Sequence, residues 1–272
     1  MSVPNKELSN GNTIPQIGLG LWQVTDEEQF AAAFKAAVKT GYRHFDSAQA
    51  YHNEDMLGRA WTSSKLKRED IFITTKINIS HFKPKTLHET FEESLKKLQT
   101  DYVDLLLLHF PVTLLRKNAW QTLEALQTSG LAKNIGVSNF TIRHLEELKT
   151  YANQIPVINQ VEMHVFLQQP ELVKYCQNNN IQIEAYSPLA HAHIMDNETV
   201  SKIAEKYNKT YAQVLLRFLV ERGFVVLPKS VTPKRIEENF NIFDFSLDEQ
   251  DMKDLAKEDL DKRFCWSPVH IP

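Results

Sequence analysis

Apolar residues in this chain alternate between two spacings. Short, nearly continuous apolar runs recur at 43–48 (RHFDSA), 70–76 (DIFITTK), 102–110 (YVDLLLLHF), 133–140 (KNIGVSNF), 157–164 (VINQVEMH), 181–189 (IQIEAYSPL), 224–230 (FVVLPKS) and, more weakly, 241–247 (NIFDFSL). Each has strand length and lacks a regular polar face, so burial on both faces is expected. Between them, EEQFAAAFKAAVKTG (27–41) and KTLHETFEESLKKLQ (85–99) repeat apolar residues at helical spacing, and Gly41 supplies the stop for the first. Buried strands alternating with helices predict an α/β protein with a parallel sheet. Eight such units closing on themselves give a (β/α)8 TIM barrel, with an open doubly wound sheet as the competitor. The opening KELSNGNTIPQIGLG carries Asn-Gly and Pro turn signals. It reads as an N-terminal β-hairpin set before the barrel and plugging its bottom, while extra helices and a tail follow the last strand. No linker or low-complexity tract interrupts residues 1–272, which are expected to form a single domain.

Composition narrows the function. Thirty-one basic residues against 34 acidic ones leave a net charge of −3, with no electrostatic footprint for nucleic acid or anionic membrane. The N-terminal MSVPNKELSNGNT lacks a signal peptide's apolar core, and no apolar stretch is long enough to span a bilayer. A cytoplasmic monomer acting on a small molecule is expected. Cys176 and Cys265 form no CxxC pair and are read as packing residues, Cys265 the more accessible.

In a (β/α)8 barrel, reactive groups sit at the C-terminal ends of the strands, around one mouth. Here Asp46 ends the first run, Tyr51 lies in the loop after it, Lys76 closes the second run and His109 closes the third. Together they suit a proton-donating centre. A phenol with an ordinary pKa of about 10 is a poor acid at neutrality, but an ammonium about 4 Å away contributes up to roughly 4 kcal/mol at intermediate dielectric. The lysine must stay charged in a partly dry site, which gives Asp46 its place beside Lys76, and His109 can hydrogen-bond an oxygen held near Tyr51. Further along, SVTPKRIEEN places Thr232 as an N-cap and Pro233 at the first helical position, just after the seventh run. The free N–H groups of that helix, with Lys229, Ser230 and Arg235 around them, suit a phosphate. Arg235 can pair with phosphate and stack on adenine, which suits a phosphorylated adenine nucleotide. GLGLWQ (18–23) lacks the third glycine of a dinucleotide fingerprint and precedes the first βα unit, so a Rossmann site is not expected.

Asp46, Tyr51, Lys76 and His109, in DSAQAY, ITTK and LLLLHFP, resemble the catalytic tetrad of the aldo-keto reductases, bacterial members similar to diketogluconate reductases included. GVSNF, NQVEMH, AYSPL and LPKSVTPKRIEEN resemble that family's cofactor segments, so the likeness covers essentially the whole chain. The resemblance implies that Ser138, Asn139 and Gln160 hold the nicotinamide carboxamide and that Tyr186 stacks on the ring. It further implies that Ser187, Pro188 and Leu189 line the pyrophosphate path, that Lys229, Ser230, Val231 and Arg235 surround the 2′-phosphate, and that Glu238 and Asn239 touch adenine. Trp22, His52, Phe110 and Trp266, with Phe264, resemble pocket-lining positions. His52 and Phe110 depart from the small residue and the Trp common in relatives, and the short loop 111–118 suggests an open pocket for small or modestly polar carbonyls. The expected activity is NADPH-dependent reduction of aldehydes and ketones.

Other readings stay open on the sequence. His191 and His193, in HAH, prompt a metal-dependent hydrolase on a similar barrel, for which only His109 and His164 offer further imidazoles at strand ends. A hydrolase using Glu162 and Glu184 as a carboxylate pair leaves Tyr51 and Lys76 without purpose. A cofactor-binding relative without turnover is the last alternative.

Overall fold

The structure, a computed structural model, describes residues 3–190 and 196–272. Strands β1 (Asn5–Glu7) and β2 (Thr13–Pro15) pair antiparallel as the expected hairpin. The barrel strands are β3 (Leu19–Gly20), β4 (His44–Asp46), β5 (Phe72–Ile77), β6 (Val103–Leu108), β7 (Ala132–Ser138), β8 (Ile158–Glu162), β9 (Gln182–Tyr186) and β10 (Val225–Leu227). All eight are parallel and neighbours in chain order. An Ile17–Val226 bridge joins the ends of the sheet, with the Gly18 N–H donating to Val226 O (2.9 Å) and the Gly20 N–H to Pro228 O (3.0 Å). This is the (β/α)8 barrel expected from the alternation of strand and helix patterns.

Around the ring lie helices α1 (Glu27–Thr40), α2 (Glu54–Thr62), α3 (Pro84–Leu98), α4 (Arg116–Thr128), α5 (Ile142–Lys149), α6 (Pro170–Asn178), α7 (Glu198–Tyr207), α8 (Tyr211–Glu221), α9 (Pro233–Phe240) and α10 (Glu249–Ala256). The two helices read from periodicity appear where expected. In α1, Asp26 caps the Gln29 N–H and Gly41 ends the helix at φ 123°, a conformation that a side chain would strain. The helices bury one stripe each: α1 through Phe30, Ala33, Phe34 and Ala37, α3 through Leu87, Phe91, Leu95 and Leu98. The hairpin does plug the barrel, because Leu8 and Ile14 cluster with Phe72, Leu105, Leu107, Val157, Ile158 and Val225 inside the ring. Each aliphatic side chain buried there contributes about 1.5–3 kcal/mol.

One strand assignment is overturned. Residues 241–247 form no strand: Gln213 and Arg217 on α8 donate side-chain hydrogen bonds to the carbonyls of Asn241 and Ile242, satisfying that backbone without a sheet partner. The missing barrel strand is β3, inside the segment read as leading up to the barrel. Asp46, Lys76 and His109 therefore follow the ring's second, third and fourth strands, and α9 follows the eighth strand instead of the seventh. Gly18 shows why this seam eludes a hydrophobic pattern, since a Cβ there would meet the His44 ring at 2.6 Å and Leu227 at 2.7 Å. His191 and His193 lie outside the described residues, so the structure says nothing of that pair.

Candidate active site

Three neighbouring strand ends, those of β4, β5 and β6, bring the proton-donating residues together. Lys76 is fully buried and Asp46 is 4% exposed. The Lys76 ammonium donates to Asp46 Oδ1 at 2.6 Å, to Ser47 O at 2.9 Å and to the Tyr51 hydroxyl oxygen at 3.3 Å. These three acceptors use all three of its N–H bonds. Because Lys76 has no acceptor to offer, Tyr51 receives at its oxygen and keeps its own hydrogen for a third party. Burial pulls the Lys76 pKa down, but Asp46 and Tyr51 outweigh it and hold the ammonium above its ordinary value.

Tyr51 does not follow the simplest expectation. Burial raises its pKa, Lys76 lowers it and Asp46 raises it again, and the balance lies above the ordinary value of a phenol. Lys76 is thus the main force opposing desolvation, without reversing it. His109 faces Tyr51 edge-on, ring centroids 5.6 Å apart and planes at 75°, and its backbone carbonyl accepts from Asn139 Nδ2 at 3.1 Å. Burial, followed by the charge of Lys76, lowers its pKa to about 3. At neutral pH His109 is an uncharged imidazole with one N–H to donate.

The loop carrying Tyr51 is fixed by two residues that the sequence did not single out. Asn53 is buried, accepts from Ser47 Oγ and donates to the carbonyls of Leu21 and Val24. Glu54 accepts from Thr75 and Ser94 hydroxyls. A polar pair at the start of a helix resembles ordinary capping, and no spacing rule distinguishes it.

The ends of β7, β8 and β9 supply a second set of polar groups. Asn139, at φ 65°, donates to Ser138 Oγ at 3.0 Å and accepts from the Tyr186 hydroxyl at 2.7 Å, which fixes the tilt of that ring. Gln160 donates to Asp46 Oδ2 at 2.8 Å and to Glu184 Oε2 at 2.7 Å. Both of its amide hydrogens are thereby used, and its oxygen accepts from no described residue. Ser187 adopts φ 50°, Pro188 is buried, and Leu189 and Val231 pack against the core from half-buried positions.

At α9, Thr232 occupies the N-cap position and Pro233 the first turn, as expected, but the Thr232 hydroxyl caps nothing. Ser230 Oγ accepts from the Thr232 N–H instead, at 3.1 Å. The first-turn N–H groups are left for an anion, and Lys229, Lys234 and Arg235 beside them are exposed without an ion pair to a described residue. Glu238 accepts from Thr210 Oγ1, whereas Asn239 is only 4% exposed and its side chain bonds no described residue. Uncapped first-turn N–H groups beside three exposed cations fit a phosphorylated nucleotide.

Of the expected pocket residues, Trp22 lies just beyond β3, His52 just beyond Tyr51 and Phe110 just beyond His109, all on the tetrad's side of the ring. Trp266, 81% exposed, stands on the C-terminal tail. That tail is tethered by Glu162, which accepts from the Phe264 and Cys265 N–H groups at 2.6 and 3.2 Å and stands 3.3 Å from His164 Nε2. Burial raises the Glu162 pKa, but these bonds outweigh it and hold the carboxylate below its ordinary range. Glu162 is therefore a tail anchor, not half of a hydrolytic pair. Cys176 is the packing residue expected, whereas Cys265 comes within 3.5 Å of Ser187 Oγ at the site's edge.

A parallel barrel with a lysine-gated phenol at its mouth and a nucleotide cradle alongside defines an oxidoreductase of carbonyl compounds. The chain belongs to the aldo/keto reductase family, whose profile matches residues 16–259. It is 45% identical over 267 residues to a methylglyoxal reductase of Escherichia coli O157:H7, with 96% of each chain covered. It is 43% identical over 265 residues to a glyoxal reductase of Bacillus subtilis, covering 97% of this chain and 96% of that one. A Bombyx mori aldo-keto reductase solved in complex with NADP superposes with a TM-score of 0.92 at 32% identity, covering 97% and 95% of the two chains. Family, barrel and oxidoreductase class are those expected from the sequence, and neither hydrolase reading finds support.

Proposed function

We propose that the chain reduces small aldehydes and α-dicarbonyls with NADPH. Asp46, Tyr51, Lys76 and His109 do the chemistry in this reading. The carrying observation is the direction of the Lys76–Tyr51 hydrogen bond, which leaves the phenolic hydrogen facing outward as a proton donor. A carbonyl oxygen accepting from Tyr51 and from neutral His109 is polarised by both, and the alkoxide forming there takes its proton from Tyr51. Asp46 keeps Lys76 charged. When bound, NADPH supplies the hydride to the carbonyl carbon. Gln160 offers its carbonyl and Ser138 its hydroxyl to a carboxamide, and Tyr186 offers a ring face. Lys229, Ser230, Val231 and Arg235 hold the 2′-phosphate, Ser187, Pro188 and Leu189 flank the pyrophosphate, and Glu238 and Asn239 take the adenine.

Trp22, His52, Phe110 and Trp266 line the substrate side, where exposed Trp22, Trp266 and His52 around half-buried Phe110 favour compact, modestly polar carbonyls. The names of the Escherichia coli and Bacillus subtilis relatives support dicarbonyls in particular. A single domain over residues 1–272, a monomeric state and a cytoplasmic location complete the proposal, and no helix among the described residues is long and apolar enough to cross a membrane. Tyr51→Phe tests it: turnover of methylglyoxal should fall by about 10²-fold or more, while NADPH binding, followed by fluorescence quenching, stays near wild type. Undiminished turnover would overturn the role given to Tyr51.

A further inference from the structure

Glu184 on β9 projects into the barrel beneath the tetrad and is fully buried. Its Oε2 takes one hydrogen of the Gln160 amide at 2.7 Å, while Asp46 Oδ2 takes the other at 2.8 Å. An amide bonded through both hydrogens to two carboxyl groups cannot flip without losing both bonds and setting its oxygen against the Asp46 carboxylate. We propose that Glu184 is a positioning residue of the reductase. It locks Gln160 with its carbonyl toward the nicotinamide, and the Gln160 amide so held joins Lys76 in donating to Asp46. The inference rests on the NADPH-dependent reading above.

The lock requires a particular charge state. On β4, Asp46 and His44 face Glu184, with His44 Nε2 3.7 Å from Oε1; on β5, Lys76 stands across the interior. The adjacent β8 contributes the neutral Gln160, and β10 sets Val225 beside Glu184 in the sheet. His44 is neutral, its pKa lowered to about 3 by burial first and then by Lys76. One ammonium therefore faces two carboxyl groups, and Asp46 already holds it at 2.6 Å. Burial, and next the charge of Asp46, raise the Glu184 pKa well above the ordinary carboxylate range. Glu184 is therefore the member of the pair that holds its proton more tightly. Ionised, it adds a second negative charge beside Asp46 and makes Tyr51 a poorer acid.

Two variants test this, read by NADPH fluorescence quenching and by kcat/KM for methylglyoxal over about pH 6–9. Glu184→Leu removes the acceptor and should weaken NADPH binding by about 10-fold. Glu184→Gln mimics the protonated acid, so NADPH affinity should be retained. The loss of kcat/KM expected of wild type as Glu184 ionises should be absent, leaving only the Tyr51 limb at higher pH. A merely structural carboxyl would change melting temperature without moving that profile. Wild-type NADPH affinity in Glu184→Leu, or an unchanged alkaline profile in Glu184→Gln, overturns the inference; should the leucine variant not fold, the glutamine profile decides. A wild-type chain that neither binds NADPH nor reduces the dicarbonyl overturns the functional reading as well, whereas insensitive variants of an active wild type overturn this inference alone.

Discussion

Replacing Lys76 by methionine isolates the electrostatics of the site. The ammonium stands 3.3 Å from the Tyr51 oxygen. At an effective dielectric constant of about 20 that distance corresponds to about 5 kcal/mol, equivalent to roughly 3–4 pKa units for the phenol. Burial already holds Tyr51 above its ordinary pKa, and Lys76 is the largest influence pulling it back. Lys76→Met therefore raises the Tyr51 pKa further and weakens the proton donor at neutral pH. If about half of the change is expressed in the rate, kcat falls by about 10²-fold and the alkaline limb of kcat/KM moves upward. The same change strands Asp46, buried, without its cation, at about 3–5 kcal/mol of folding stability. Lys76→Met/Asp46→Asn serves as the control, expected to recover stability in urea melts but not turnover. Steady-state rates from NADPH absorbance, measured across pH with methylglyoxal, give both quantities. A methionine variant within about 3-fold of wild type, with its alkaline limb in place, would refute an acid tuned by Lys76.

Arg235→Ala should weaken NADPH by about 10- to 100-fold, the loss of a charged hydrogen bond, and leave NADH nearly unchanged; equal losses in a fluorescence titration would remove Arg235 from the 2′-phosphate. With the His109 pKa lowered to about 3, the imidazole takes no proton as pH falls through the ordinary histidine range. Acid-side kcat/KM should accordingly stay flat below pH 6.5, the unperturbed value, and an acid limb near that value that His109→Gln abolishes would show a charged, not a neutral, hydrogen-bond donor.

Seven of the eight barrel strands were legible because a strand covered on both faces leaves an unbroken apolar signature, and DIFITTK and YVDLLLLHF carry it clearly. The eighth was misplaced for two physical reasons. NIFDFSL alternates like a strand, yet α8 side chains satisfy its carbonyls. Leu19–Gly20 is two residues long and flanked by Gly18, whose role is to leave room for His44 and Leu227, so it contributes almost nothing to a hydrophobic pattern. The convergence of Asp46, Tyr51, Lys76 and His109 was legible because ionisable residues ending apolar runs are uncommon together. Glu184 and Glu162 were visible only as buried-strand carboxylates, and their pairing as a hydrolytic dyad was the wrong geometry. They project to different partners, one to Gln160 inside the barrel and the other to the amides of the tail. Which partner a strand carboxylate meets depends on residues more than 20 positions away for Glu184 and about a hundred away for Glu162.

The seam between residues 17–20 and 226–228 ties assembly to reactivity. Gly20 pairs in register with Asp46, so the strand that completes the ring also flanks the carboxylate that keeps Lys76 charged. Contacts joining such distant parts of a chain incur the largest loop-closure cost and slow folding. An unzipped barrel would thus expose its ammonium to water and leave the phenol untuned, confining proton-donating power to molecules that have stitched their first strand to their last.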